Sequence, residues 1–553
     1  MWRFNFSPRH PETDQLTHTP ADLILTGGRL LTMQTERRAP ATALAVSNGR
    51  IIAVGDDRDI LQCRGAQTER IDLAGAIVTP GLVDAHTHPL LGIDETRGVD
   101  LTSHQTLATV RSALVTEART IRDGEWLLGW GLNPNVYGNR PVDQAIFDDL
   151  GERPAFVTLF DGHSAVANRA GMSRAGLTGQ SRDNHHRGVV SNAHGELTGQ
   201  LLEEEAINLV RSIIPSRTTE QRHQELATLL RAMAATGLTG GHVMDLGPGD
   251  LKLLRSMEEA GDLPLRLNLA PWCRPRDEAD RIDELIALQS SAGRLWKVSM
   301  VKLFMDGTVD GGTAWLKTPD SHGASTTANW DDPAGYTRIV HRLSAAGVQT
   351  ATHAIGDAAV EHVLDTLARV DNPALVRHRI EHIETLPADQ VPRFAQLGVI
   401  ASMQPTHATD YTRADRQDNW SQRLGERRAS RGWCCRELVD SGAVLALGSD
   451  WPVAHYDPRA VIAAAQLRRP AGRPDLPPIG LDQALTAVQA LRGYTVAPAI
   501  ASSDEHRAGT IAVGRRADLT VFGDDPTTTP AADVADIPVT LTIVDGTVWR
   551  HHN

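Results

Sequence analysis

Apolar and polar positions along the chain fall into two rhythms. Near the start, ADLILTGGRLLTM sets two apolar runs around a Gly-Gly turn, and ATALAVSNGRIIAVG repeats the arrangement around Asn-Gly. Such spacing predicts β-hairpins. The C-terminal stretch shows the same grammar in GTIAVGRRADLTVFGDD and in PVTLTIVDGTVWR, which turns at Asp-Gly. Two β-rich ends around a long middle predict that residues 15–76 and 500–553 pair into one small β-sandwich. A polar, Pro-containing stretch, 1–14, precedes it as a loose arm.

In the middle, short apolar runs alternate with helical stretches such as GDAAVEHVLDTLARV, the mark of βα units. Ten runs have strand character: AIVTPGLVDAH, WLLGWG, AFVTLF, GLTGGHVMD, LPLRLNLA, VSMVKLF, VQTATH, VRHRIEH, GVIASMQP and AVLALGSD. A barrel needs eight. WLLGWG and AFVTLF lie in a weakly regular region at about 100–205, which reads as an insertion after the first strand. The expected fold is therefore α/β: a (β/α)₈ TIM-like barrel over 77–499 beside the small β-sandwich. A length of 553 residues suits that pairing.

Composition narrows the function. Lys+Arg 55 against Asp+Glu 68 gives a net charge of −13, which argues against nucleic acid and anionic membrane, since both need a cationic face. No run approaches the roughly 20 apolar residues of a membrane span, and the N-terminus lacks a signal-peptide core, so a cytoplasmic location is expected. Cys63, Cys273, Cys434 and Cys435 show no CxxC spacing and read as reduced thiols. The expected partner is a small molecule, with a homodimer as the candidate assembly.

The strand ends carry the chemistry. VTPGLVDAHTHP ends in His86 and His88, at i and i+2, so a strand points both imidazoles to one face beside Asp84. A lone His at a strand end is usually a hydrogen-bonding residue; two on one face suggest ligation. Lys302 interrupts the apolar run VSMVKLFMDG, and a buried ammonium needs a partner. A salt bridge to Asp306 would supply one. VQTATH ends in His353, VRHRIEH in Glu381-His382 and AVLALGSD in Asp450. Packing alone would place Val, Ile and Leu at these positions. Five strands delivering ligand-type residues at one end point instead to a metal centre.

Those pieces resemble the amidohydrolase superfamily, within it the branch of the N-substituted formamide deformylases. GLVDAHTH, FDGHSAVANRAG, GELTGQLLEEEA, VKLFMDGTVDG, THAIGDAAVE, RHRIEHIE, SMQPTH, ALGSDWPV and GTIAVGRRADLTVF carry the resemblance, in order and over nearly the whole chain. It implies a binuclear zinc-type site: His86 and His88 on one ion, His353 and His382 on the other, Lys302 bridging both as a carboxylated amine, and Asp450 both ligand and proton carrier. A hydroxide between the metals would attack an amide-type C–N bond, as coordination lowers the pKa of water to about 7. Without carboxylation a one-metal site remains open. So do carbamate and ester hydrolysis, which use the same nucleophile.

A deaminase is disfavoured, because no Glu follows His353 within Ala354-Ile355-Gly356-Asp357. A non-catalytic scaffold should lose ligands, and none of the six is lost. Substrate contacts are expected from His163 in the insertion, from Asp306, from Gln404 after the seventh strand and from Trp451. Among the loop residues Trp315, Trp330, Trp420, Trp433 and Trp451, at least one is expected to wall an apolar substituent, and THATDYTRADRQDNWSQRLGERR to form a lid. Glu381 is expected to face away from His382, and Arg377 and Arg379 to pair with outer helices. The pairs His185-His186 and His551-His552 read as surface features.

Overall fold

The computed structural model describes residues 20–35, 40–138, 140–178, 188–371 and 373–550. The arm 1–14 and both surface histidine pairs lie outside the described residues.

The eight expected runs all form strands, in two parallel arcs. One arc joins Leu82–Thr87, Leu238–Val243, Arg266–Leu269 and Trp296–Val298. The other joins Val301–Phe304, Thr350–Ala354, Arg379–His382, Ile400–Met403 and Leu445–Leu447. The run VSMVKLF is thus broken: Val298 closes the extra short strand Trp296–Val298, which pairs with the third strand, and Val301–Phe304 pairs with the fifth. Where the eighth strand meets the first, the Asp450 N–H donates to the His86 carbonyl (2.7 Å), and the His88 N–H donates to the Trp451 carbonyl (2.9 Å).

Helices follow most strands and bury one face. Asp357–Leu367 buries Val360, Val363, Leu364 and Leu367, the i, i+3, i+4, i+7 stripe of a helix lying on a sheet. No described helix is long and apolar enough to cross a membrane. All four cysteines are free.

Both chain ends build β-sheet together. Leu519–Phe522 pairs antiparallel with Ile77–Pro80 and with Val539–Val544. A second sheet holds Ala21–Thr26, Ala43–Ser47, Arg50–Gly55 and Arg64–Asp72. Leu25, Leu44 and Val46 of one sheet share an apolar cluster with Val78, Val521 and Ile543 of the other. The run AIVTPGLVDAH is therefore divided. Its first residues, Ile77–Pro80, belong to the terminal sheet, and the first parallel strand begins at Leu82.

The region at 100–205 is more regular than its sequence suggested. WLLGWG and AFVTLF contribute Leu127–Leu132 and Ala155–Leu159 to a six-stranded mixed sheet with its own apolar clusters. Irregular strand spacing hid it, because Gly-rich turns and short helices separate the strands. This sheet sits over the strand ends: Phe160 stacks on Tyr411 of the segment after the seventh strand (ring centroids 3.7 Å apart), and the Asn419 N–H donates to Asn135 (3.0 Å).

Candidate metal centre

Side chains from the C-terminal ends of five strands meet in one place. His86, His382 and Asp450 offer three donor atoms all within 4.8 Å of one another. An Asp450 carboxylate oxygen lies 3.1 Å from His88 Nε2 and 3.4 Å from His86 Nε2, with His382 Nδ1 3.7 Å from the other oxygen. Lys302 Nζ sits 3.2 Å from His86 Nε2. The His353 ring packs on His382 with centroids 4.4 Å apart.

Local backbone aims these groups. His86 ends a strand, and His88 is the residue that caps the helix Pro89–Glu95. His382 and Asp450 adopt left-handed backbone, φ 75° and 59°. Non-glycine residues pay for that conformation, and such strain gathers where side chains must converge.

Burial sets the protonation pattern. It pushes the His86 imidazole down to about 4, helped by the neighbouring Lys302 cation. His353 and His382 are held well below the ordinary histidine range, again chiefly by burial. Neutral imidazoles keep lone pairs free for a cation. Burial also lowers the His88 ring, but Asp245 and Asp450 outweigh it and raise it to about 9. Asp450 resists the upward pull of burial, because the histidines around it hold it well below the usual carboxylate range. Lys302 is 1% exposed and lowered to about 8 by burial. Nitrogen and carboxylate donors in this mixture suit a divalent ion such as zinc.

A family model described as the amidohydrolase family matches residues 69–549. The chain belongs to the amidohydrolase family. It is similar to a Bacillus subtilis protein named amidohydrolase YtcJ, at 29% identity over 94% of this chain and 98% of that one. It is also similar to the N-substituted formamide deformylase of Arthrobacter pascens, at 26% over 95% and 97%. Among solved structures, an uncharacterized metal-dependent hydrolase from Pyrococcus horikoshii shares 25% identity and a TM-score of 0.70 over 92% of this chain and 99% of that one. The protein is a metal-dependent amidohydrolase.

A cavity of about 770 Å³ opens onto the centre of this amidohydrolase, its lining including His88, His163, Lys302, His353, His382 and Asp450. His163 reaches it from the insertion, Nδ1 3.0 Å from Glu203 and its ring 4.9 Å from that of His353. The other three expected substrate contacts are placed differently. Gln404 is fully buried and bonds His382 Nδ1 at 3.0 Å, so it orients an imidazole. Asp306 accepts the backbone N–H groups of Trp315, Ile355 and Gly356 and does not pair with Lys302; it pins two loops. The Trp451 ring packs against Gly92, beneath the helix after the first strand. Trp272 and Phe304 are the aromatic residues that line the cavity instead. Neither stood out in the sequence, because Trp272 follows an ordinary strand and Phe304 reads as strand core.

Two further expectations fail for one reason. Glu381 does not face away from the site: its carboxylate lies 2.6 Å from His86 Nδ1. Arg379 does not reach the outer helices. It is buried among the strands and donates to that same carboxylate, while Arg377 pairs with Glu505. Residues 379 and 381 share the inward face, as alternation requires. The left-handed turn at His382 then brings the next side chain inward as well.

Proposed function

We propose that this amidohydrolase cleaves the C–N bond of a small N-substituted amide or formamide with water. The carrying observation is the convergence of His86, His88 and His382 on Asp450, at 3.4, 3.1 and 3.7 Å, with Lys302 3.2 Å from His86 and His353 packed alongside. We read the two parallel arcs as one (β/α)₈ barrel and the two terminal sheets as a β-sandwich braced against it.

His86, His88 and Asp450 would hold one zinc-type ion, and His353 and His382 a second. Lys302, carboxylated on Nζ by carbon dioxide with release of one amine proton, would add anionic oxygen donors to this set. Its depressed basicity favours that reaction, since only the neutral amine adds to carbon dioxide. When bound, the metal lowers the pKa of water and polarises the substrate carbonyl. Asp450 accepts the proton that the attacking water gives up and passes it to the departing nitrogen as the C–N bond breaks. Trp272 and Phe304 offer apolar surface to the nitrogen substituent, and His163, braced by Glu203, reaches the substrate beside Phe304, their ring centroids 6.1 Å apart.

Metal analysis of the purified chain, followed by assay of N-alkyl and N-aryl formamides, larger amides and carbamates with zinc or manganese, tests the reading. Bound divalent metal and turnover of an amide-type substrate are expected. Turnover that survives complete metal removal overturns it, and turnover confined to carbamates moves the substrate class.

A further inference from the structure

Each ligand-type imidazole engages one ring nitrogen with a group outside the ligand set, and those groups differ in charge. His86 Nδ1 lies 2.6 Å from the Glu381 carboxylate. His88 Nδ1 faces Asp245 Oδ1 at 3.5 Å, both atoms buried and otherwise without a hydrogen-bond partner. On the other side the nearest partners are neutral: the Gln404 amide oxygen at 3.0 Å from His382 Nδ1, and the Gly307 carbonyl at 3.1 Å from His353 Nε2. The Asp306 carboxylate stands farther from that Nε2, at 3.9 Å, and accepts three backbone N–H groups from Trp315, Ile355 and Gly356.

Glu381 is itself built in. Arg379 Nε and Nη2 donate to its two oxygens at 2.5 and 3.0 Å, and Nη2 also reaches the Ala85 carbonyl and Ser402 Oγ at 2.6 and 2.9 Å. Arg379, Glu381 and His86 are all 0% exposed. A buried ion pair is weak evidence for stabilisation, since desolvating both charges offsets their attraction. What this pair supplies is a fixed negative charge directly behind one imidazole. A carboxylate there holds the N–H on the near nitrogen and makes the far nitrogen a stronger donor to a cation; an amide oxygen orients the ring with less charge behind it.

We propose that Glu381, secured by Arg379, is a positioning residue that makes the His86–His88 side of the centre its tighter divalent-cation half. The His353–His382 side, whose nearest partners are amide oxygens, is the weaker half. This rests on the metal reading above.

The test is zinc titration of the metal-stripped full chain against a fluorescent chelator, with denaturant unfolding of the metal-free protein followed in parallel. Glu381→Gln should weaken the tighter step about 10–100-fold and leave the weaker step in place. Gln404→Ala should do the reverse. Because Glu381→Gln alone strips Arg379 of its carboxylate, the double variant Arg379→Met/Glu381→Gln, with neither charge, separates folding from binding. It should unfold cooperatively and still show the weakened tight step. An unchanged tight step in either variant, or a Gln404→Ala that weakens that same step, overturns the asymmetry. If wild type shows one step, that step must weaken in Glu381→Gln and not in Gln404→Ala. Wild type that takes up no zinc overturns the metal reading itself.

Discussion

The terminal β-sheets and the mouth of the parallel strands are equally buried, yet they are filled by opposite kinds of residue. In the terminal sheets Leu25, Leu44, Val46, Val521 and Ile543 meet in one apolar cluster, and burial of each contributes to stability directly. At the mouth, Lys302, Arg379, Glu381, His86 and Asp450 occupy positions as dry as that cluster. Burial there costs free energy unless every charge finds a partner. The difference teaches that strand pattern specifies where a side chain goes, whereas the chemistry of what goes there decides whether the site stabilises the fold or draws on it.

Substitutions should split the two regions cleanly. The largest effect on turnover is expected at the mouth: Asp450→Asn should lower kcat by about 10²–10⁴-fold through loss of proton transfer. His88→Ala and Lys302→Ala should abolish turnover while the metal-free unfolding midpoint stays near that of wild type. Full activity in any of these would break the comparison.

Arg379→Met should cost about 3–5 kcal/mol in denaturant unfolding of the metal-free protein, because Glu381 is left as an uncompensated buried charge. A change near zero would mean that the pair is not dry. Ile543→Val, in the terminal cluster, should cost only about 0.5–1.5 kcal/mol and leave kcat and metal content per folded molecule unchanged. Metal loss in that variant would show that the two regions are not separable.

A further effect is one of pH. Burial pushes the Asp310 carboxyl up to about 7, against the lowering effect of its hydrogen bond from Asn419 in the segment after the seventh strand. A raised native pKa means that the folded state holds its proton where the unfolded chain has released it. The stabilising contribution is complete below about pH 4 and is lost as pH rises to about 7. Asp310→Asn should flatten that part of the fall in denaturant midpoint, and an unchanged slope would place the effect on other carboxyls.

Much of this was legible residue by residue. The apolar runs marked all eight parallel strands, and the histidines, Lys302 and Asp450 at their ends announced the site, because polar residues inside a strand bundle demand an explanation. Glu381 and Arg379 face the opposite way from what strict alternation counted back from His382 predicts. Alternation ends at His382, whose φ of 75° lets Glu381 and His382 both face inward. Gln404 stood at the right place with the wrong partner. The insertion's six-stranded sheet leaves little trace in the sequence, because its strands are short and unevenly spaced.

Periodicity and residue chemistry are local properties of the chain, so the strand and helix pattern, the pairing of the two β-rich ends and the six ligand-type positions could be read from the amino acids alone. Only the tertiary structure decided what stands behind each imidazole, which aromatic residues line the cavity and how the insertion covers it. Those depend on distances between side chains hundreds of residues apart and on single backbone angles, such as that of His382, that no local pattern encodes.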